Sequence, residues 1–221
     1  MTPARPVLVA IAGGSATGKS TLARQLAACL VSRTPVILAQ DGYFRDFAEY
    51  EPDERERVRT ANHPDAVNWP AFHAALEALL AGGRIAYPAP GTRPAARGEA
   101  GRMLGPAGLV IVEGLFALWD ETCRRRADLR LYTEVDEDER VLRRVHRDVT
   151  ERGSTVERTV SWYRRDVRPN YRTYTVASRD YADLVIPTER HNPTMIRALC
   201  AAVGAIADDE DARPGAGGAY D

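Results

Sequence analysis

Apolar residues in this chain follow two alternating rhythms. Short unbroken runs rich in Val, Ile and Leu occur at Val7–Ala12, Pro35–Ala39, Leu109–Val112, Leu129–Glu134 and Leu184–Ile186. A run without polar alternation predicts a strand buried on both faces, as in a parallel sheet. Between the runs, apolar residues recur at helical spacing. Leu22, Leu26 and Leu30 follow the first run, and "NWPAFHAALEALLAGG" from Asn68 carries Pro70 near its first turn and a glycine stop. "DEDERVLRRVHRDVTERG" from Asp136 reads as a charged helix ending at Gly153. The alternation predicts an α/β fold, a five-stranded parallel sheet flanked by helices, as one domain over residues 1–207. Residues 84–106, rich in Pro, Gly and Arg without helical period, predict a small excursion from that sheet. Residues 208–221, acidic and then Gly/Ala-rich, predict a disordered tail.

Composition changes this picture mainly by exclusion. At 221 residues and 44% hydrophobic content the chain buries a substantial core. A net charge of −1 supplies no global attraction to nucleic acid or to an anionic membrane, so neither is expected as a partner. No apolar run approaches the roughly 20 residues of a membrane span, and the first residues lack a secretory apolar core, so a cytoplasmic protein is expected. Cys29, Cys123 and Cys200 are odd in number, widely separated and without metal-ligand spacing. They read as small core or surface residues rather than as a disulfide, a zinc site or a nucleophile.

Candidate chemistry begins with "GGSATGKST", Gly13 to Thr21. Of the 30 basic residues only Lys19 is lysine; the rest are arginine, a bias that a GC-rich genome explains everywhere except at the position that resisted it. Gly13-x4-Gly18-Lys19-Ser20 between a strand and a helix fits a phosphate-binding loop. Backbone amides of Gly13, Gly14, Ser15, Ala16, Thr17, Gly18, Lys19, Ser20 and Thr21 are placed to curl around phosphates, and the helix dipole favours the anion. The slim ammonium of Lys19 reaches the β- and γ-phosphates as a point charge that a planar guanidinium does not imitate.

Asp41 follows "VILAQ" and Glu113 closes "LVIVE", so both stand at carboxyl ends of strands, on the same edge as the loop. A carboxylate there can hold the Mg²⁺ that bridges two phosphates, together with the Ser20 hydroxyl, or accept a proton from an attacking alcohol. Taken singly, each could equally be a loop acid capping a helix.

With "GGSATGKST", "AQDGYF", "NHPDA", "VIVEG", "RRVHRDVTERG" and "DYADLVIP" followed by "NP" in this order, the chain resembles the uridine kinase branch of the uridine kinase and phosphoribulokinase group, over nearly its whole length before the tail. The resemblance implies a P-loop kinase fold using ATP and Mg²⁺. It makes Asp41 the base toward the acceptor hydroxyl, Glu113 and Ser20 the Mg²⁺ ligands, and residues 143–154 a mobile arginine lid. It directs Arg144 to the acceptor sugar and Arg147 and Arg152 to the phosphates, and it implies a tendency to homo-oligomers. On charge pattern alone Arg143, Arg144, Arg147 and Arg152 form a solvated face balanced by Glu137, Asp138, Glu139 and Asp148; the resemblance reverses that preference.

Departures cluster on the acceptor side. Where the family carries an aromatic and an aspartate facing the nucleoside, this chain has Ala61 and Asn62; where it favours "FD", Val67 and Asn68; and where it has a further lid arginine, Ser154. Tyr87 and Arg93 are kept, but the His or Tyr that reads the pyrimidine is absent. Asn62, His63, Asp65, Tyr87, Arg93 and Arg144 are the candidate acceptor residues, although a His-Pro-Asp turn capping the next helix equally explains His63 and Asp65, and packing equally explains Tyr87. Arg93 and Arg97 offer compensating charge to an anionic or more polar acceptor. The expected activity is transfer of the γ-phosphoryl group of ATP to a small-molecule hydroxyl, uridine kinase-like with an altered base pocket. The alternatives are a kinase for another sugar-like or vitamin-like alcohol, or a regulatory nucleotide-binding protein.

Overall fold

The computed structural model describes residues 5–212. In chain order these form β1 (Val7–Gly13), α1 (Lys19–Cys29), β2 (Pro35–Ala39), α2 (Pro52–Val58), α3 (Trp69–Leu80), β3 (Ile85–Tyr87), α4 (Arg93–Ala96), β4 (Arg102–Leu104), β5 (Leu109–Glu113), α5 (Glu121–Arg126), β6 (Leu129–Glu134), α6 (Glu137–Thr150), α7 (Val156–Trp162), α8 (Arg168–Asn170), β7 (Leu184–Pro187) and α9 (Pro193–Ala212). Short 3₁₀ turns intervene, and π-helical turns at Tyr163–Val167 and Tyr171–Thr175 flank α8.

Each of the apolar runs becomes a strand of one five-stranded sheet, ordered β2-β5-β1-β6-β7 with every neighbouring pair parallel. Because strand side chains alternate between faces, Leu8, Ala10, Val110 and Val112 pack with Phe72, Leu76 and Leu79 of α3. Val9, Ile11, Ile111 and Leu131 pack on the opposite face with Leu22 and Leu26 of α1 and Leu199 and Val203 of α9. Burial on both faces is what removed polar residues from β1 and from all but the last residue of β5. The chain leaves β1 through α1 toward β2 and returns to β1's other side only with β6, so the strand order reverses at the carboxyl end of β1. Connections diverge there and leave a crevice.

Residues 84–106 leave the sheet as expected and fold as an antiparallel ribbon, β3 against β4, with α4 between its strands. Two expectations are corrected. The tail assignment began too early, since α9 continues through 208–212 and Asp208 pairs with Arg33; residues 213–221 lie outside the described residues. Cys29 and Cys200, read as unpaired, form a disulfide joining α1 to α9, with Cα atoms 6.4 Å apart. Their 171-residue separation carries no spacing signal; only the packing of both helices on one sheet face brings them together. Cys123 is buried and unbonded, and burial pushes its thiol up. No described helix is long and apolar enough to cross a membrane.

Candidate active site at the carboxyl edge of the sheet

The loop after β1 owes its shape to local constraints. Gly13 has φ +146°, and a Cβ there would lie 2.6 Å from the Thr133 carbonyl oxygen, so only glycine turns the chain here. Thr17 donates to the Gly14 carbonyl at 2.8 Å and shares a 2.6 Å hydrogen bond with Thr133, while Thr188 donates to the Thr17 carbonyl at 2.7 Å. Residues of β6 and of the turn after β7 therefore hold the loop. Lys19 opens α1, is 8% exposed, and its Nζ donates to the Gly14 carbonyl at 2.7 Å. Burial lowers the ammonium's pKa, while Glu113 and Asp41 oppose that shift.

Ser20, one residue on, donates its hydroxyl to Glu113 Oε1 at 2.9 Å. Glu113 ends β5 and is buried, which pushes its carboxyl above the usual range against the pull of Lys19 and Ser20. Among the described residues no cluster of three or more His, Cys, Asp or Glu could cage a metal by itself. Two hard oxygens beside a phosphate loop fit Mg²⁺, which takes one or two protein oxygens and completes its shell with phosphate and water.

Asp41 lies in the 3₁₀ turn Gln40–Tyr43 after β2, with its side chain exposed. The next residue must be glycine, because a Cβ on Gly42 would meet the Tyr87 ring at 2.8 Å. Tyr87 thus supports the Asp41 turn from beneath, edge-on to Tyr43 and covered by Arg102.

Three arginines of residues 144–152 converge on one acid. Asp148, 7% exposed on α6, receives Arg144 at 3.4 Å, Arg147 at 2.9 Å and Arg152 at 3.4 Å, and Arg147 also reaches the Ser15 hydroxyl at 3.2 Å. Arg143 instead braces α6, bonding Glu139 and the carbonyls of Thr188 and Glu189. Arg140 is fully buried, 3.8 Å over the Tyr171 ring.

On the acceptor side Asn62 is buried and donates to Asp166 at 2.6 Å; the Ala61 amide donates to the same carboxylate at 3.2 Å, and Thr60 bonds it too. A carboxylate missing at position 62 is thus brought beside it from position 166. Arg93 donates to the carbonyls of Arg45 at 3.1 Å and Thr60 at 2.6 Å, and stacks on Phe44. Burial and the neighbouring Arg59 lower its pKa to about 10.

Several of these groups line a cleft of about 1250 Å³. Of the residues named from sequence, Ser15, Ala16, Gly18, Lys19, Ser20, Thr21, Asp41, Asn62, Arg93, Glu113, Arg144, Arg147 and Arg152 border it. Gly13, Gly14 and Thr17 belong to the loop but do not border the cleft. His63, Asp65 and Tyr87 are elsewhere: His63 Nδ1 accepts from the Asp65 amide while Nε2 pairs with the Tyr174 hydroxyl at 2.7 Å, and the Asp65 side chain is 78% exposed. Sequence reading missed Arg24 and Arg59, and Arg158 and Arg165 farther along; the last two are seven residues apart, two helical turns, a recurrence that marks one face.

A parallel sheet with a phosphate loop at its switch point, a hydrogen-bonded Ser20–Glu113 oxygen pair beside it and a cluster of arginines bordering the same cleft defines a P-loop kinase. The chain belongs to the Phosphoribulokinase / Uridine kinase family, whose profile matches residues 8–195. It is 33% identical over 199 residues to a uridine kinase of Deinococcus deserti, covering 90% of this chain and 96% of the relative. It is 32% identical to a uridine kinase of Clostridium perfringens, covering 90% and 95%. A crystal structure of a candidate fructose transport system kinase from Silicibacter sp. TM1040 superposes with a TM-score of 0.64 at 24% identity, covering 83% of this chain and 90% of that one. The chain is accordingly a phosphotransferase that uses a hydroxyl acceptor.

Proposed function

We infer that this kinase moves the γ-phosphoryl group of ATP to the hydroxyl of a small, sugar-like alcohol. One observation carries the reading: Lys19, Ser20, Asp41, Glu113 and the lid arginines border a single cleft. The loop amides and Lys19 cradle the phosphates. Ser20 and Glu113 would hold Mg²⁺, which would supply positive charge against the phosphates. Asp41 accepts the acceptor's proton as its oxygen bonds to the γ-phosphorus, and the bond from that phosphorus to the β–γ bridging oxygen breaks, releasing ADP. Arg147 and Arg152 stabilise the charge in transfer.

The acceptor end favours an alcohol other than a pyrimidine nucleoside. Ala61 offers no ring for a base to stack on, and His63, the nearest histidine in sequence, is engaged by Tyr174. A pocket lacking base-reading partners loses about 1–3 kcal/mol of discrimination per missing contact. A regulatory nucleotide-binding protein would need neither Asp41 nor a cleft beyond it. Acceptor-dependent ADP release tests the reading. Turnover should rise severalfold over the acceptor-free rate with at least one pentose, nucleoside or polyol; a rate indifferent to every alcohol would favour the regulatory alternative.

A further inference from the structure

Residues 60–62 bring Ala61 and Asn62 to the cleft wall, and two distant segments clamp them. Arg93, at the start of α4, donates to the Thr60 carbonyl at 2.6 Å. Asp166, 104 residues beyond Asn62, accepts from the Thr60 hydroxyl, from the Ala61 amide at 3.2 Å and from Asn62 Nδ2 at 2.6 Å. Asp166 is 6% exposed and is not among the residues that border the cleft, so it acts through the turn it holds. Local sequence fixes its own place. Pro169 has no amide proton to give the helical ladder, and the chain around it widens into the π-helical turns Tyr163–Val167 and Tyr171–Thr175. The Asn170 side chain then donates to the Asp166 carbonyl at 2.8 Å.

A carboxylate only accepts hydrogen bonds, so the contact decides which end of the Asn62 carboxamide faces it. The NH₂ turns to Asp166, and the carbonyl Oδ1 is left over. No described residue donates to that oxygen, and it keeps contact with solvent. The pairing is exclusive. An aspartate at 62 would press two carboxylates together, and an asparagine at 166 would turn its own NH₂ to Oδ1 and consume it. We propose that Asp166 is a positioning residue for the acceptor: it holds Asn62 with Oδ1 presented to the cleft, where that oxygen accepts a hydrogen bond from a hydroxyl of the bound alcohol. The inference rests on the kinase reading for its acceptor and adds a demand that reading does not make. The substrate must donate at this point, so an ether or keto oxygen in the same place is refused.

The test compares the full chain with N62D, D166N and N62D/D166N, using ATP, Mg²⁺ and whichever pentose, nucleoside or polyol raises turnover most. Each single variant should raise the acceptor KM about tenfold or more, the scale of one hydrogen bond, while the nucleotide Kd stays within about twofold of wild type. The double variant exchanges donor and acceptor, and it should bring the acceptor KM back to within about threefold of wild type. An unchanged KM in both single variants, or a loss that the exchange does not reverse, would overturn the role. Parallel losses in acceptor KM, nucleotide Kd and melting temperature would show a clamp that serves folding alone, and would overturn it too. Any of these results leaves the kinase reading intact. That reading fails differently, by a wild-type rate indifferent to every alcohol, and such a result would remove the acceptor and this role with it.

Discussion

Lysine occurs once in the chain, at the start of α1, and its surroundings explain why arginine did not replace it. The Lys19 ammonium is buried, reaches the Gly14 carbonyl at 2.7 Å, and lies in the combined field of Glu113 and Asp41. A guanidinium is wider than that space and overpacks the loop. Lys19→Arg should therefore weaken nucleotide binding at least about tenfold, a loss of about 1.4 kcal/mol, with the fold intact. Calorimetric titration with ATP checks this, and wild-type affinity would show that any cation suffices. At the same scale, His63 shows where sequence reading stops. Its motif pointed equally to an acceptor contact and to a turn cap, and the deciding partner, Tyr174, stands 111 residues away.

The carboxyl edge of the sheet was legible because strands announce their ends: Asp41 and Glu113 could be placed on one edge before any coordinates. The phosphate loop was legible because its glycines and its lysine act within a few residues of one another. The arginine cluster of α6 and the turn after it was half legible. Its arginines were visible, but their convergence on Asp148 depends on where α6 packs, and the charge pattern gave that acid no distinction from Glu137 or Asp138. As the buried counterion of three arginines, Asp148 fixes how they are arranged. Asp148→Asn leaves those cations uncompensated and should cost on the order of 3 kcal/mol of stability, together with a fall in kcat exceeding any rise in nucleotide Kd. Thermal melts and paired kinetic and binding titrations read both. A melting point and kcat equal to wild type would mean that the lid is organised by other contacts. The Cys29–Cys200 bond between α1 and α9 was illegible for the same reason, since long-range packing creates it.

Across the whole molecule the charge is nearly balanced, at −1, yet the main cleft gathers nine basic side chains against three carboxylates. Net charge alone would exclude an anion-binding protein; its distribution makes one, because a cleft walled by low-dielectric protein concentrates field from a molecule that is neutral overall. The reversal of strand order at β1 gives the cleft its place, and the arginines of the lid and acceptor side give it its sign. Asp41 is an exposed carboxylate at the strand edge within that positive field, and the account depends on it as the proton acceptor. Asp41→Asn should leave the nucleotide Kd within about twofold of wild type while lowering acceptor-dependent kcat by on the order of 10²-fold or more, the range of a positioned general base. Wild-type kcat in Asp41→Asn, measured beside an unchanged nucleotide Kd, would contradict the account.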